Sequence, residues 1–424
     1  MNLVKITEGL KFAGDINIRK LEIVGSNNYS VDISRQVAQI NFYEDIFSPF
    51  NTMSIVVKES VDFITSLPLR GEEVINVELA TPTMVKQEHI IKGKFYIYKL
   101  TDRQEMTQKS TVYVLHCISY EAIIDMNTKR SKAYRGKISD IAYQIIGKDG
   151  LNTDKQVNIE STINSVKYTS NFWSPVKNLN YISSLARNIN YSPSFLFFEN
   201  RNGFNFLSLD SLYNQDVIQS FRKDNYVRDT NSRGISNKNV EEDFKRILSF
   251  KVINSYDSMK NINDGTYASR MYTYDIVKKK YTVTDYNALD NFLFQNHLNK
   301  KSLLSEYKPV SYLNSFFNQT KHYGVHDGFP DTSISKNIQE RSSVIQLLNS
   351  NTIEITVLGR TDYTIGQKVY VQIPKAAPLG EKDKEDESID STWSGNYIII
   401  ALNHNINREK HEVTMELAKD TYIG

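Results

Sequence analysis

Apolar and polar positions alternate through much of the first 120 residues of this 424-residue chain. Ile55 and Val57 fall on one side of an extended run and Ser54 and Val56 on the other, before Pro68, Arg70 and Gly71 interrupt it. From Val74 to Leu79, Ile75, Val77 and Leu79 share a face opposite Asn76 and Glu78. Gly93 precedes Phe95-Tyr96-Ile97-Tyr98, and Val112-Tyr113-Val114-Leu115 makes a further strand. Period-two patterning with short turns predicts a compact antiparallel sheet or barrel.

The period changes at Ser119. Ile138, Ile141, Ala142, Ile145 and Ile146 recur at helical spacing, and Gly147 with Gly150 ends that run. A second helix begins with Ser174 as N-cap and Pro175 in the first turn, where a missing donor costs nothing. Val176, Leu179, Ile182, Leu185, Ala186 and Ile189 make its apolar face. Phe195-Leu196-Phe197-Phe198, a turn at Asn200 to Gly203, and Phe204 to Leu207 then read as a hairpin. Residues 119–210 therefore predict a small α/β domain.

Residues 216–250 read as one or two strands, including Ile247-Leu248-Ser249-Phe250. From Tyr256 to Pro330 the chain is rich in Asn, Tyr and Lys and reads as irregular. Helical spacing returns between Ser335 and Asn349. Alternation then resumes at Ile353-Ile355-Val357, Val369-Val371-Ile373, Tyr397 to Leu402 and Val413-Met415-Leu417. The acidic stretch from Gly380 to Ser394 has few core-forming residues and predicts a mobile hairpin or loop.

The two strand-rich ends resemble each other. Gly71-x-x-Val74-x-x-Val77 followed by Gly93-Lys94-Phe95-Tyr96-Ile97 parallels Gly366-x-x-Val369-x-Val371 followed by Gly395-Asn396-Tyr397-Ile398-Ile399. This repeat predicts a mainly β fold with α/β insertions, in which two related antiparallel β-barrels are accompanied by smaller α/β domains. Chance likeness between unrelated β-meanders is the competing explanation.

Composition narrows the function more than the fold. Fifty-one Lys and Arg stand against 49 Asp and Glu, a net charge of +2, without the basic excess of a dedicated nucleic-acid binder. The single cysteine, Cys117, excludes an intrachain disulfide and reads as a small buried hydrophobe. The N-terminus lacks the apolar run of a secretory signal and no window has the length of a membrane helix, so assembly inside the cell is expected.

Candidate chemistry is sparse. His322 and His326 have i,i+4 spacing beside Asp327, but Gly324, Gly328 and Pro330 oppose a helix and no Glu completes a zinc motif. Gly147-Lys148-Asp149-Gly150 lacks the spacing and Lys-Ser/Thr pair of a phosphate loop. Trp173 and Trp393 could serve as sugar platforms, although an anchoring role suits them equally. No catalytic, cofactor-binding or metal-binding residues are assigned, and a non-enzymatic protein without cofactors is expected.

With these motifs in view, the chain resembles the baseplate central hub proteins of T-even-type contractile-tailed phages and, more distantly, the trunk of VgrG-type spike proteins. The resemblance runs from His116-Cys117-Ile118-Ser119-Tyr120-Glu121 through Ile138 to Ala142, Phe172-Trp173-Ser174-Pro175, Asn180-Tyr181-Ile182, Arg187 and Phe195 to Gly203. A second stretch comprises Arg341, Leu347-Leu348, Ile355 to Gly359, Ile365 to Val369, Gly395 to Ile398, His404 and Val413 to Leu417. It covers about two thirds of the chain and is weakest from Tyr256 to Pro330.

The resemblance implies a homotrimer with a pseudo-hexameric ring, joining the sixfold tail tube or its initiator to the trimeric central spike. Baseplate wedge or peripheral hub proteins would surround it, DNA would pass transiently through its channel, and no stable membrane insertion is expected. The implied location is the tail baseplate of the virion, after assembly in the host cytoplasm. The corresponding division is a tube-like barrel at 1–118, an α/β domain at 119–215, the first part of a second barrel at 216–250, an inserted irregular domain at 251–336 and the remainder of the second barrel at 337–424. A tail-associated peptidoglycan hydrolase and the hub of a non-viral contractile injection or secretion system are the alternatives.

Overall fold

Alternating side chains at the N-terminal end form β1 (Asn17–Val24), β2 (Ser30–Asp32), β3 (Val37–Asp45), β4 (Thr52–Glu59), β5 (Val74–Ala80), β6 (Ile91–Thr107) and β7 (Ser110–Ser119). This computed structural model describes residues 10, 12–25, 29–59, 69–82, 84, 89–107, 110–223, 240–255, 257–275, 279–302, 315–318, 337–375, 389–408 and 410–423. One face of these strands packs Leu21, Ile40, Phe42, Ile55, Ile75, Val77, Phe95, Leu115 and Cys117 into an N-terminal core. That burial drives the pairing, because the side chains sent to this face are those at alternate positions along each strand.

The insertion follows as α1 (Tyr120–Asn127), β8 (Ala133–Lys137), α2 (Ile138–Ile146), β9 (Gln156–Ile159), β10 (Ser165–Thr169), α3 (Pro175–Leu185), β11 (Phe195–Asn200), β12 (Gly203–Ser208) and α4 (Leu209–Tyr213). Helix α2 buries Ile138, Ile141, Ala142, Ile145 and Ile146, and α3 buries Leu179, Ile182 and Leu185, all in one separate core with Phe195, Phe197, Phe204 and Phe206. Ser174 caps α3 by accepting from the Lys177 N–H, and Pro175 occupies its first turn. Strands β11 and β12 form the expected hairpin, with β9 added in parallel along β12.

Gly203 is the tight point of that sheet. Its φ is +142°, and a Cβ there would lie 2.1 Å from the Gln156 carbonyl oxygen on β9. Gly203→Ala is therefore expected to cost about 1–3 kcal/mol from the backbone conformation, with the backbone collision adding to it. A thermal melt indistinguishable from the wild type would contradict this.

Downstream lie β13 (Val217–Arg222), α5 (Val240–Phe244), β14 (Ile247–Asn254), α6 (Ser258–Asn263), β15 (Ala268–Asp275), β16 (Lys280–Asn287), α7 (Ala288–Phe292), β17 (Lys301–Ser302), β18 (Ser315–Asn318) and α8 (Ile338–Asn349). The stretch expected to be irregular thus contains an antiparallel hairpin, β15–β16, with β18 parallel to β15. Tyr272 and Tyr281 stack across it at 5.7 Å. The chain ends in β19 (Thr352–Leu358), β20 (Lys368–Gln372), β21 (Gly395–Asn407), β22 (His411–Ala418) and β23 (Thr421–Tyr422). Residues 380–388 of the acidic stretch lie outside the described residues.

The expectation of two barrels is overturned. The strands of the two ends run as one open 13-stranded sheet, in the order β14-β19-β22-β21-β3-β4-β7-β6-β5-β1-β2, with β20 on β21 and β13 on β20. Among the described residues no sheet closes on itself. The reason is the division of labour along β21. Its residues 395–398 pair with β20, while residues 401–407 leave that neighbour and pair with β3 of the N-terminal half. The edge that could have closed a C-terminal barrel is spent on joining the two halves.

The repeat nevertheless appears in the topology. Neighbours β3-β4-β7-β6-β5 recur as β14-β19-β22-β21-β20, antiparallel at every step. Two of the irregularities match as well. A register shift lies between Val37 and Gln39 against β4, and between Ile247 and Ser249 against β19. Another lies between Ile97 and Lys99 against β7, and between Ile399 and Ala401 against β22. Bulges re-aim a strand, so their recurrence marks equivalent bends in both units. Pairing equates Gly93 with Gly395, since these face Val77 and Val371, but equates Ile75 rather than Val74 with Val369. The glycine-anchored alignment is one residue out of register on that strand.

Candidate functional site

The most distinctive construction is the seam where the two units meet. Strands β3 and β21 pair from Gln39 opposite Asn407 to Asp45 opposite Ala401. Ile406 of β21 is buried in the N-terminal core, and Ile46, just past β3, is buried in the C-terminal core with Val357, Val371, Tyr397 and Met415. Each unit thus lends a side chain to the other's interior. Thr81 and Thr361 lock the units a second time, each backbone N–H donating to the other's hydroxyl at 3.0 and 2.9 Å.

Buried polar groups concentrate here. The Glu44 carboxylate accepts from the Thr364 hydroxyl at 3.0 and 2.9 Å. Burial pushes the Glu44 carboxyl up to about 7, with Arg201 and Thr364 pulling the other way. His404 on β21 and His411 on β22 are fully buried and share a hydrogen bond, Nδ1 to Nε2, at 2.9 Å. Burial depresses both, His411 to about 3, and His404 is lowered further by its neighbour His411 and by Arg201. A pair with one shared proton can sit in a dry site only as two neutral rings.

On the opposite side of the C-terminal unit the sheet is acidic. Glu354 on β19 stands directly across from Glu416 on β22, and Asp45 on β3 lies one strand further on, with Ala401 of β21 between it and Glu416. Burial raises the Glu416 carboxyl, and Asp45 and Glu354 add to the effect.

A second joint ties the α/β insertion to the N-terminal unit. Lys155 donates to Glu121 on α1 and Glu199 on β11 at 2.6 Å each, and to the Ser119 hydroxyl at the end of β7 at 3.2 Å. Thr153 donates to the second Glu121 oxygen at 2.6 Å, and the Asn51 N–H to the second Glu199 oxygen at 2.9 Å. Burial alone would depress the Lys155 ammonium, but the two carboxylates hold it above its ordinary value. Arg341 on α8 makes a comparable tie, donating to the carbonyls of Pro193 and Phe195 at 3.0 and 2.5 Å. Burial lowers it to about 10.

The residues weighed for chemistry disperse. Cys117 is buried in the N-terminal core, which pushes its thiol up and makes it unreactive. Gly147 to Gly150 form the turn that ends α2, with the Gly147 N–H donating to Tyr143. Trp173 packs edge-on against Tyr181 and under Lys177, and Trp393 packs against the C-terminal core, so both are anchors. His322, His326 and Asp327 lie outside the described residues. Among the described residues no group of three or more His, Cys, Asp or Glu could hold a metal ion. Sequence reasoning missed Lys155, Glu199 and Glu44, whose partners are remote in the chain. The weak signal for His404 and His411 was their position on alternating strands, where a histidine replaces an apolar residue.

Fold and seam define a duplicated strand unit joined to itself edge to edge. No family model matches the chain. It is 20% identical, over 96% of its length and 95% of the relative's, to the probable baseplate hub protein gp334 of Vibrio phage KVP40. The resemblance to baseplate hub proteins is borne out by that match. The fold is shared with two solved structures. One is a tail protein from Neisseria meningitidis MC58, with TM-score 0.54, 9% identity and 95% and 96% of the two chains covered. The other is a 43 kDa tail protein of prophage MuSo2 from Shewanella oneidensis, with TM-score 0.55, 7% identity and 95% and 98% covered. In keeping with these relatives, the chain is structural and not an enzyme.

Proposed function

We propose that this chain is the central hub of a contractile-tail baseplate, a homotrimer that joins a sixfold tube or its initiator to a threefold spike. The observation that carries the reading is the likeness to a probable baseplate hub protein along nearly the whole chain. The duplicated strand order supports the symmetry, because three chains with two equivalent units each offer six similar positions to a sixfold partner.

In this reading the strand units comprise residues 1–118 and residues 216–250 with 337–424. The segments 119–215 and 251–336 project from them toward the spike and the wedge or peripheral hub proteins. Assembly takes place in the host cytoplasm and the protein resides in the virion's tail baseplate. The face carrying Asp45, Glu354 and Glu416 lines the channel, where carboxylates repel DNA and let the genome slide.

Cryo-EM of the assembled particle tests the proposal. Three copies on the tail axis, between tube and spike, with a neutral to negative lumen are expected. Six copies, a peripheral position or a strongly basic channel would overturn it.

A further inference from the structure

The duplicated unit carries two complementary edges, and among the described residues one of each is used inside the chain. In the C-terminal unit, the outer half of β21 extends past β20 and pairs with β3. Its counterpart in the N-terminal unit, the outer half of β6, also extends past β5, with further register shifts against β7 between Thr101 and Gln104 and between Glu105 and Thr107 that β21 lacks. β5 pairs with β6 no further than Tyr96, and from Lys99 onward β6 has β7 alone as a strand partner among the described residues. The counterpart of β3 is β14, which ends the sheet and pairs only with β19 among the described residues.

Burial tells the same story. At the internal seam, residues 402, 404 and 406 of β21 are buried, as are Ile40 and Phe42 of β3. On the counterpart edges, residues 102–106 of β6 are all exposed, and Leu248, Val252 and Ile253 of β14 are 40%, 36% and 44% exposed. Tyr98 and Met106 are exposed at 51% and 61%. Long unpaired edges with apolar side chains are a hazard that folded proteins ordinarily cover.

We propose that the outer half of β6 in one copy pairs antiparallel with β14 of a second copy, repeating between chains the β3–β21 seam within each. The proposal rests on the ring reading above and supplies its interface. Six strands separate β6 from β14 within one chain, so the two edges face away from each other and the contact is head to tail. Such contacts propagate around a ring until it closes.

The internal seam also dictates the register. Asn405 faces Glu412 on β22 as Gln104 faces Val112 on β7, and Asn41 faces Ser54 on β4 as Lys251 faces Glu354 on β19. Since Asn405 pairs with Asn41, Gln104 comes opposite Lys251 of the neighbouring copy. Glu105 then comes opposite Phe250 and beside Lys251, a favourable placement of charge.

Oxidative cross-linking in assembled baseplates is the test. Residues directly opposite across an antiparallel pair have Cα atoms about 4.5–5.5 Å apart, within disulfide reach. A chain carrying Gln104→Cys and Lys251→Cys is expected to give, on a non-reducing denaturing gel, covalent dimers and a trimer as the largest band. All should collapse to monomer on reduction. Lys99→Cys with Lys251→Cys, displaced by about 13 Å along the strand, is expected to stay monomeric. A ring of three without a Gln104–Lys251 link would overturn the strand pairing and leave the ring reading intact. One copy per baseplate would overturn both. If the double variant does not assemble, a reconstruction of the wild-type particle decides, and β14 paired with any strand other than β6 sinks the proposal.

Discussion

Lys155→Met is expected to destabilise the protein by about 3–5 kcal/mol, the penalty for leaving buried carboxylates without their cation. Glu199 is 3% exposed and Glu121 8%, and both depend on the one ammonium at 2.6 Å. Burial already raises the Glu199 carboxyl with Lys155 present, so removing the lysine leaves the carboxylates to repel each other in a poorly solvated site. The site also has a mechanical role. Ser119, Glu121, Lys155, Glu199 and Asn51 come from the end of β7, from α1, from the loop before β9, from β11 and from the turn before β4. Its loss should loosen the insertion before the main sheet. Chemical denaturation followed by tryptophan fluorescence reads this selectively, because Trp173 sits in the insertion and Trp393 against the C-terminal core. The triple replacement of Lys155 by Met with Glu121 and Glu199 by Gln should recover most of the loss, since no uncompensated charge then remains. A loss below about 1 kcal/mol for Lys155→Met alone would show that water reaches the carboxylates after all.

The strands with strict apolar alternation, such as Val74 to Leu79 and Ile353 to Val357, announce themselves because their period of two follows from burying one face. Ser174-Pro175 marks α3 for an equally local reason. The β15–β16 hairpin was invisible because Tyr272, Thr273, Thr282 and Thr284 are strand-forming without an apolar alternation to read. The open sheet was invisible for a different reason. Repeated strand patterns specify a unit, but whether each unit closes or joins its twin depends on how far β21 runs past β20, which only the pairing reveals. The same holds for Lys155 and Glu199, whose 2.6 Å contact spans remote segments and leaves no spacing to detect. Glu44 sits on an alternating strand beside Phe42, where a carboxylate reads as solvent-facing until the second unit covers it.

That covering makes the seam pH-sensitive in two opposing directions. His404 and His411 are neutral in the fold, whereas an unfolded histidine takes up a proton near pH 6.5. Their contribution to stability is fully present above about pH 6.5 and is lost as the pH falls, for His411 until about 3. Each sheds about 1.4 kcal/mol per pH unit within its window. Glu44 behaves in the reverse sense. Its folded value of about 7 lies above that of an unfolded glutamate, so its contribution is fully present below about pH 4.5 and is lost as the pH rises through 7. Between about pH 4.5 and 6.5 the gain from Glu44 on acidification offsets the loss from one histidine, leaving the other unopposed. Glu44→Gln keeps an acceptor for Thr364 and removes the titration. Relative to the wild type, this variant is expected to gain about 3 kcal/mol as the pH rises from 4.5 to 7. Taking the difference between the two curves removes the shared titration of other groups. Urea midpoints of both proteins at half-unit steps from pH 4 to 8 supply it, and curves that run parallel throughout would mean that Glu44 is already ionised in the folded seam.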